Sequence, residues 1–177
     1  MSDFNLDKEK SIAALLYIIQ KVGGSLDMYS LLKILYFAES KHLVEYGRPI
    51  TGDKMVAMNH GPVPSSSYDS VKFNTIDSNN FQNEDNIVTA ERAPNLDCLS
   101  ESDIECLDES IAENGGLNFG KLKSKSHDSA YDWAIKNCGK NSIIPYVEIA
   151  KAFGADEAMI EYIKTSSENQ NCAFDGH

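Results

Sequence analysis

No stretch of this sequence approaches the roughly 20 consecutive apolar residues that a membrane-spanning helix needs. The opening "MSDFNLDKEKS" lacks the basic start and apolar core of a secretory leader, so the expectation is a soluble, cytoplasmic protein. Paired cysteines are missing too. Cys98, Cys106, Cys138 and Cys172 form no C-x-x-C, and no histidine stands near them at zinc spacing. That predicts no metal site and no disulfide, with free thiols mostly buried as small apolar groups. There is no G-x-G-x-x-G, no phosphate-binding loop pattern, no G-x-S-x-G elbow and no H-E-x-x-H. No cofactor is therefore expected.

Positive charge is scarce where acid is dense. The net charge is −11, yet Met1–His60 balances seven acids with seven Lys/Arg. Between Asn74 and Glu113 stand eleven acids against Arg92 alone. Binding to a phosphate backbone requires Lys/Arg, so nucleic acid is an unlikely partner for that segment and a DNA-binding autorepressor is disfavoured. An acidic surface of Glu101, Asp103, Glu105, Asp108 and Glu109 would suit a basic protein partner. It equally fits a solvated face that keeps the chain soluble.

What the sequence does contain is helical periodicity. At 177 residues the chain suits a single domain, read as residues 1–165 with a loose tail over 166–177. The fold class is mainly α, with about six to seven helices around a buried central helix and a small antiparallel β element. Ile12, Leu15, Leu16, Ile19 and Val22 make one face of a helix over Asp7–Val22. Asp27–Tyr46 is apolar nearly all round in its middle, which predicts the central helix, ended by Gly47 and Pro49. Lys54–Asn59 and Asn86–Glu91 are strand candidates, expected to pair as a ribbon flanking a helix that begins at Ser65. Asn74–Asp85 reads as a loop. Further helices are expected from Ser100, around Phe119–Lys125, after Asp128, from Pro145 and from Ala155.

His60, ahead of Gly61, and His127, beside Asp128, are the residues an enzyme could use, but no nucleophile is marked by local sequence. The simpler reading is an imidazole that bonds backbone groups at a turn or a cap. Trp133 and the Tyr36/Phe37 pair read as core. Gly61-Pro62-Val63-Pro64 reads first as a stiff corner between strand and helix, and second as a preorganised docking feature.

The ordered set Leu32, Lys33, Leu35, Tyr36, Phe37, Ala38, then Gly47, Arg48, Pro49, Ile50, then Gly61, Pro62, Val63, Pro64 resembles the Panacea, or SocA-like, antitoxin domain. The family pattern runs L-x-K-L-L-Y-F-A, G-R-P-I/L, an apolar strand and G-P-V-P. "LSESDIECLDESI" and "FGKLKSKSHDSAYDWA" are similar to its second half, with His127, Ala130 and Trp133 in place and Tyr131 where tryptophan is more usual. The resemblance implies a compact helical domain with a small β element. It also implies an antitoxin of a bacterial, prophage or phage toxin–antitoxin system. Such a protein binds a cognate toxin, often one that stops translation, and a higher-order complex with the toxin is possible. It implies no catalysis and no catalytic residues. The alternative is an adaptor that delivers a bound toxin to a protease, and an enzyme using His60 or His127 is the more distant reading.

Overall fold

Asp7 sets the first helix going. Its carboxylate accepts from the Lys10 amide at 3.1 Å and caps α1, Lys8–Lys21. The chain then forms β1, Ser25–Asp27, and Asp27 in turn caps α2, Met28–Tyr46, by accepting from the Ser30 amide at 2.8 Å. Gly47, at φ 77°, closes α2 in the left-handed conformation. The computed structural model describes residues 4–73 and 79–175; residues 74–78 of the expected loop and 176–177 of the expected tail lie outside the described residues, as do side chains after Glu168.

Every residue of α2 from Ser30 to Ser40 is buried, as its unbroken apolar middle predicts. One side of it packs with Leu15, Leu16 and Ile19 of α1 and with Leu107 of α4, Glu101–Asn114. Its Tyr36 and Phe37 belong to a second cluster with Met55, Ala134, Tyr146, Ile149 and Ile163. Burying a large apolar side chain of this kind contributes about 1.5–3 kcal/mol, so α2 is the element that joins both halves of the core. Around it stand α3, Ser65–Phe73; α5, Phe119–Ser126; α6, Ser129–Cys138; α7, Tyr146–Ala152; and α8, Glu157–Asp175. The described residues thus hold eight α-helices. α8 carries helix through most of the segment expected as tail. No helix among them is long and apolar enough to cross a membrane.

The strands differ from expectation in their partners. β2, Met55–Met58, pairs antiparallel with β3, Gly61–Pro64, so the G-P-V-P stretch is itself a strand and not a corner. The second expected strand, β5, Ile87–Ala90, lies between β1 and β4, Phe81–Glu84, in another sheet. The reason is a two-residue hairpin. Asp85 and Asn86 have φ 51° and 66°, a left-handed pair that Asp and Asn tolerate and that matches strand twist. It turns part of the expected loop into β4.

The register explains the prolines. Val56 pairs with Val63, Ala57 with Pro62 and Met55 with Pro64. The Ser65 amide donates to Lys54, while the Ala57 amide donates away from β3, to Ser142. Alternation along the ladder therefore points Val63 at β2 and the nitrogens of Pro62 and Pro64 at the other edge. That edge packs on α2 and α5, and all four residues of β3 are buried. A peptide N–H there would be buried without a ladder partner; proline has none.

The thiols also depart from expectation: Cys106 is buried, but Cys98 is half-buried and Cys138 exposed.

Candidate functional site

The motif residues gather where α2, β3 and the α5–α6 connection meet. Lys33 is 1% exposed and donates from Nζ to the Pro62 carbonyl at 2.7 Å. This supplies a hydrogen bond on the side of β3 that β2 does not reach. The same ammonium lies 5.1 Å from the centre of the Tyr29 ring. Burial pushes its pKa down to about 7, against the opposing charge of Asp128.

Gly61 lies against this amine. Its φ is 111°, and a Cβ there would stand 2.6 Å from Ser126 Oγ, 2.8 Å from Lys33 Nζ and 3.3 Å from the His127 ring. Three polar side chains, one from α2 and two from the end of α5, thus converge on one glycine. Only glycine permits both the backbone angle and the approach.

Asp128 works in two directions. One carboxylate oxygen accepts from the Tyr131 amide at 3.0 Å and caps α6; the other accepts from the Tyr36 hydroxyl at 2.6 Å. Burial raises its pKa, partly offset by the Tyr36 bond. Tyr36, completely buried, is raised by burial and by Asp128. The Tyr131 hydroxyl donates to the Met58 carbonyl at 2.7 Å, which ties α6 to the ribbon. His127 stacks on the Tyr131 ring with centroids 4.4 Å apart, and burial and Lys123 lower its pKa. Its Nε2 is buried without a hydrogen-bond partner.

Outside this junction lies an aromatic group. The Tyr29 hydroxyl donates to the His60 carbonyl at 2.7 Å, its ring is 4.4 Å from that of Phe119, and the His60 ring is 5.3 Å from Phe119. His60 and Phe119 are exposed. His60 therefore sits at the turn as expected, with its carbonyl rather than its ring engaged by Tyr29. Phe37 is core, 5.5 Å from Tyr36 and beneath Lys125 Nζ at 4.6 Å. Trp133 is half-buried on the second cluster, while Tyr131 takes the buried place.

Arg48 and Pro49 belong to a separate brace. Asp103 is fully buried and not part of an acidic surface, a correction to the sequence reading. It meets Lys10 at 2.8 Å, and Arg48 and His42 at 3.3 Å each. It also accepts from the Ser100 amide in a capping box, which is why a helix-opening acid ends up inside. Burial alone would raise its pKa; the Lys10 and Ser100 bonds outweigh that and hold it below the usual carboxylate range. The other acids expected on that surface are largely engaged. Asp108 accepts from Tyr17 at 2.6 Å, Glu109 from Lys41 at 2.7 Å and Glu105 from Tyr46 at 3.2 Å. Glu101 is exposed.

Sequence reasoning overlooked Tyr29, Phe119, Ser126 and Glu39. Glu39 is fully buried and accepts from the amides of Ile50 and Thr51 at 3.0 and 2.9 Å and from the Thr51 hydroxyl, so it anchors the G-R-P-I turn. A readable signal for Phe119 was its place opening "FGKLKSKS", an apolar residue before three lysines with no acid. Glu39 had no such signal, because its partners are eleven or more residues away. Among the described residues no three His, Cys, Asp or Glu side chains are grouped to hold a metal ion.

Fold and junction together define a mainly helical domain built on a proline-edged ribbon, with its motif residues drawn to that ribbon and to the turn before it. The family model described as antitoxin SocA-like, Panacea domain, matches residues 31–134, and the chain belongs to that family. No curated protein and no solved structure gives a significant match.

Proposed function

We propose that this protein is the antitoxin of a toxin–antitoxin pair and neutralises a co-encoded, translation-inhibiting toxin in the cytoplasm by direct binding. The observation that carries this reading is the antitoxin family match over residues 31–134, the stretch that contains Lys33, the G-P-V-P strand and His127. The polar groups of the junction support it. Lys33, Tyr36, Asp128 and Tyr131 spend their bonds on the fold itself, which suits a rigid binding body. The test is growth of cells expressing the product of the neighbouring gene, with and without this protein, followed by co-purification. Rescue with a stable stoichiometric complex is expected. Rescue that requires a cellular protease would favour delivery for degradation. A harmless neighbour would remove the reading for that pair.

An enzymatic reading draws on the same junction, where an amine with a pKa near 7, a serine hydroxyl and the ring edge of His127 converge on Gly61, and the His127 Nε2 is unpartnered. Against it, the Lys33 amine is closed off from solvent. His127→Ala that keeps full rescue would eliminate it.

A further inference from the structure

We propose that the cleft at the start of α1 is a binding site for a small phosphate monoester, with the phosphate held by Arg92 and Lys8. The cleft holds about 280 Å³ and lies between the first turns of α1, the approach to β4, the chain after β5 and the short turn Leu96–Cys98. It shares no residue with the junction of α2, β3 and α5. The inference therefore goes beyond the antitoxin reading and does not depend on it.

Arg92 is the one Lys/Arg between Asn74 and Glu113, a stretch with eleven acids. The fold aims it. Its Nε donates to Asn80 Oδ1 at 2.7 Å, and Asn80 is 4% exposed. The main chain keeps the two residues side by side: Phe81 pairs with Ala90, and the Glu91 amide donates to the Asn80 carbonyl at 2.9 Å. A guanidinium fixed through Nε keeps both terminal nitrogens for another acceptor, and no described residue takes them. Parallel N–H bonds from such a fork fit two oxygens of one phosphate. Lys8 lines the same cleft, is exposed, and has no ion pair among the described residues.

The neighbouring side chains define the rest of the ligand. Glu91, next to Arg92 in sequence, lines a different cavity with Phe73 and Gln82, and Asp97 lines neither. Glu9 is the carboxylate in this cleft. Two cations beside one carboxylate suit an anion whose body carries a hydroxyl for Glu9 to accept. Buried Ile12 and Ala13 give that body an apolar floor. The volume lies just below the roughly 300–1,000 Å³ of pockets for drug-sized ligands, which suits a sugar phosphate.

The test is titration calorimetry on the full chain at low salt with ribose 5-phosphate, ribose and inorganic phosphate, with the Arg92 Nε–H resonance followed by NMR. Ribose 5-phosphate should bind saturably at millimolar concentration or below and shift that resonance; ribose should not. Arg92→Gln and Lys8→Gln should each weaken binding about tenfold or more. Lys140→Gln, exposed and outside the cleft, should leave affinity within about twofold. Glu9→Gln should narrow the preference for ribose 5-phosphate over inorganic phosphate. Thermal melts check that these exposed substitutions leave the fold intact. No saturable binding by the wild type, or affinity retained in both Arg92→Gln and Lys8→Gln, would overturn the site. An equal loss in Lys140→Gln would reduce the effect to diffuse charge and overturn it as well. Binding of a phosphoserine peptide without binding of ribose 5-phosphate would overturn the ligand class in favour of a protein. Growth rescue is read separately, so failure here leaves the antitoxin reading standing.

Discussion

Lys33 Nζ reaches the Pro62 carbonyl at 2.7 Å from inside the core, so a buried ammonium takes the place that a neighbouring strand's amide would otherwise hold. Its folded pKa, about 7, lies below the 10.5 of the free side chain. Between those values the unfolded chain binds a proton that the folded chain does not, so this group makes stability rise with pH across that window. Lys33→Met should remove the slope. Relative to the variant, the wild type should gain about 2 kcal/mol between pH 7 and pH 9 in urea unfolding. Parallel stability curves would show that the amine does not titrate in the fold.

Gly61→Ala tests the convergence of side chains on the ribbon. The new methyl meets Ser126 Oγ at 2.6 Å and Lys33 Nζ at 2.8 Å, at φ 111°. A loss of about 2–4 kcal/mol is expected in chemical denaturation. A stability unchanged from wild type would mean that the junction yields freely.

Asp103→Asn removes a buried charge from between Lys10, Arg48 and His42. About 3 kcal/mol should be lost at pH 7. The folded carboxyl titrates below its unfolded value, so its stabilisation is present above the ordinary carboxylate range and disappears as pH falls through the folded pKa. Acid unfolding followed by circular dichroism should accordingly converge for the two proteins at low pH. A constant gap down to the acid transition would contradict the assignment.

Glu39→Gln keeps the shape but leaves one oxygen to accept where the carboxylate had two. A cost of about 2 kcal/mol is expected at neutral pH. Burial raises the Glu39 pKa to about 7, so the folded state retains a proton that the unfolded state loses between 4.5 and 7. Wild-type stability should fall with rising pH in that window, and its advantage over the variant should narrow. A gap that widens from pH 5 to 7 would reverse the sign and count against a protonated Glu39.

Much of the helical frame was legible because its determinants are local. The apolar middle of α2, the stop at Gly47 and the caps at Ser100 and Asp128 each act within one or two turns. Strand pairing was less accessible. Lys54–Asn59 and Asn86–Glu91 both read as strands, but their partners depend on the turn at Asp85-Asn86 and on the pairing of the G-P-V-P strand, which its prolines disguise. The site was legible in its members and not in their relations. Lys33, Gly61 and His127 stood out singly, whereas their meeting at one glycine depends on packing between elements far apart in sequence. Asp103 was misplaced because acids in a first helical turn usually face water, and here Lys10 and Arg48 draw it inside.

The prolines of the β3 strand amount to two missing hydrogens. Any other residue at position 62 or 64 would return an amide proton to a dry seam between strand and helix, whatever its effect on chain stiffness. The seam is also closed to main-chain recruitment: an incoming strand would find no donors at those positions. Whatever this protein recognises beside the ribbon, it must recognise through side chains, whose identity can change while the backbone beneath them stays the same.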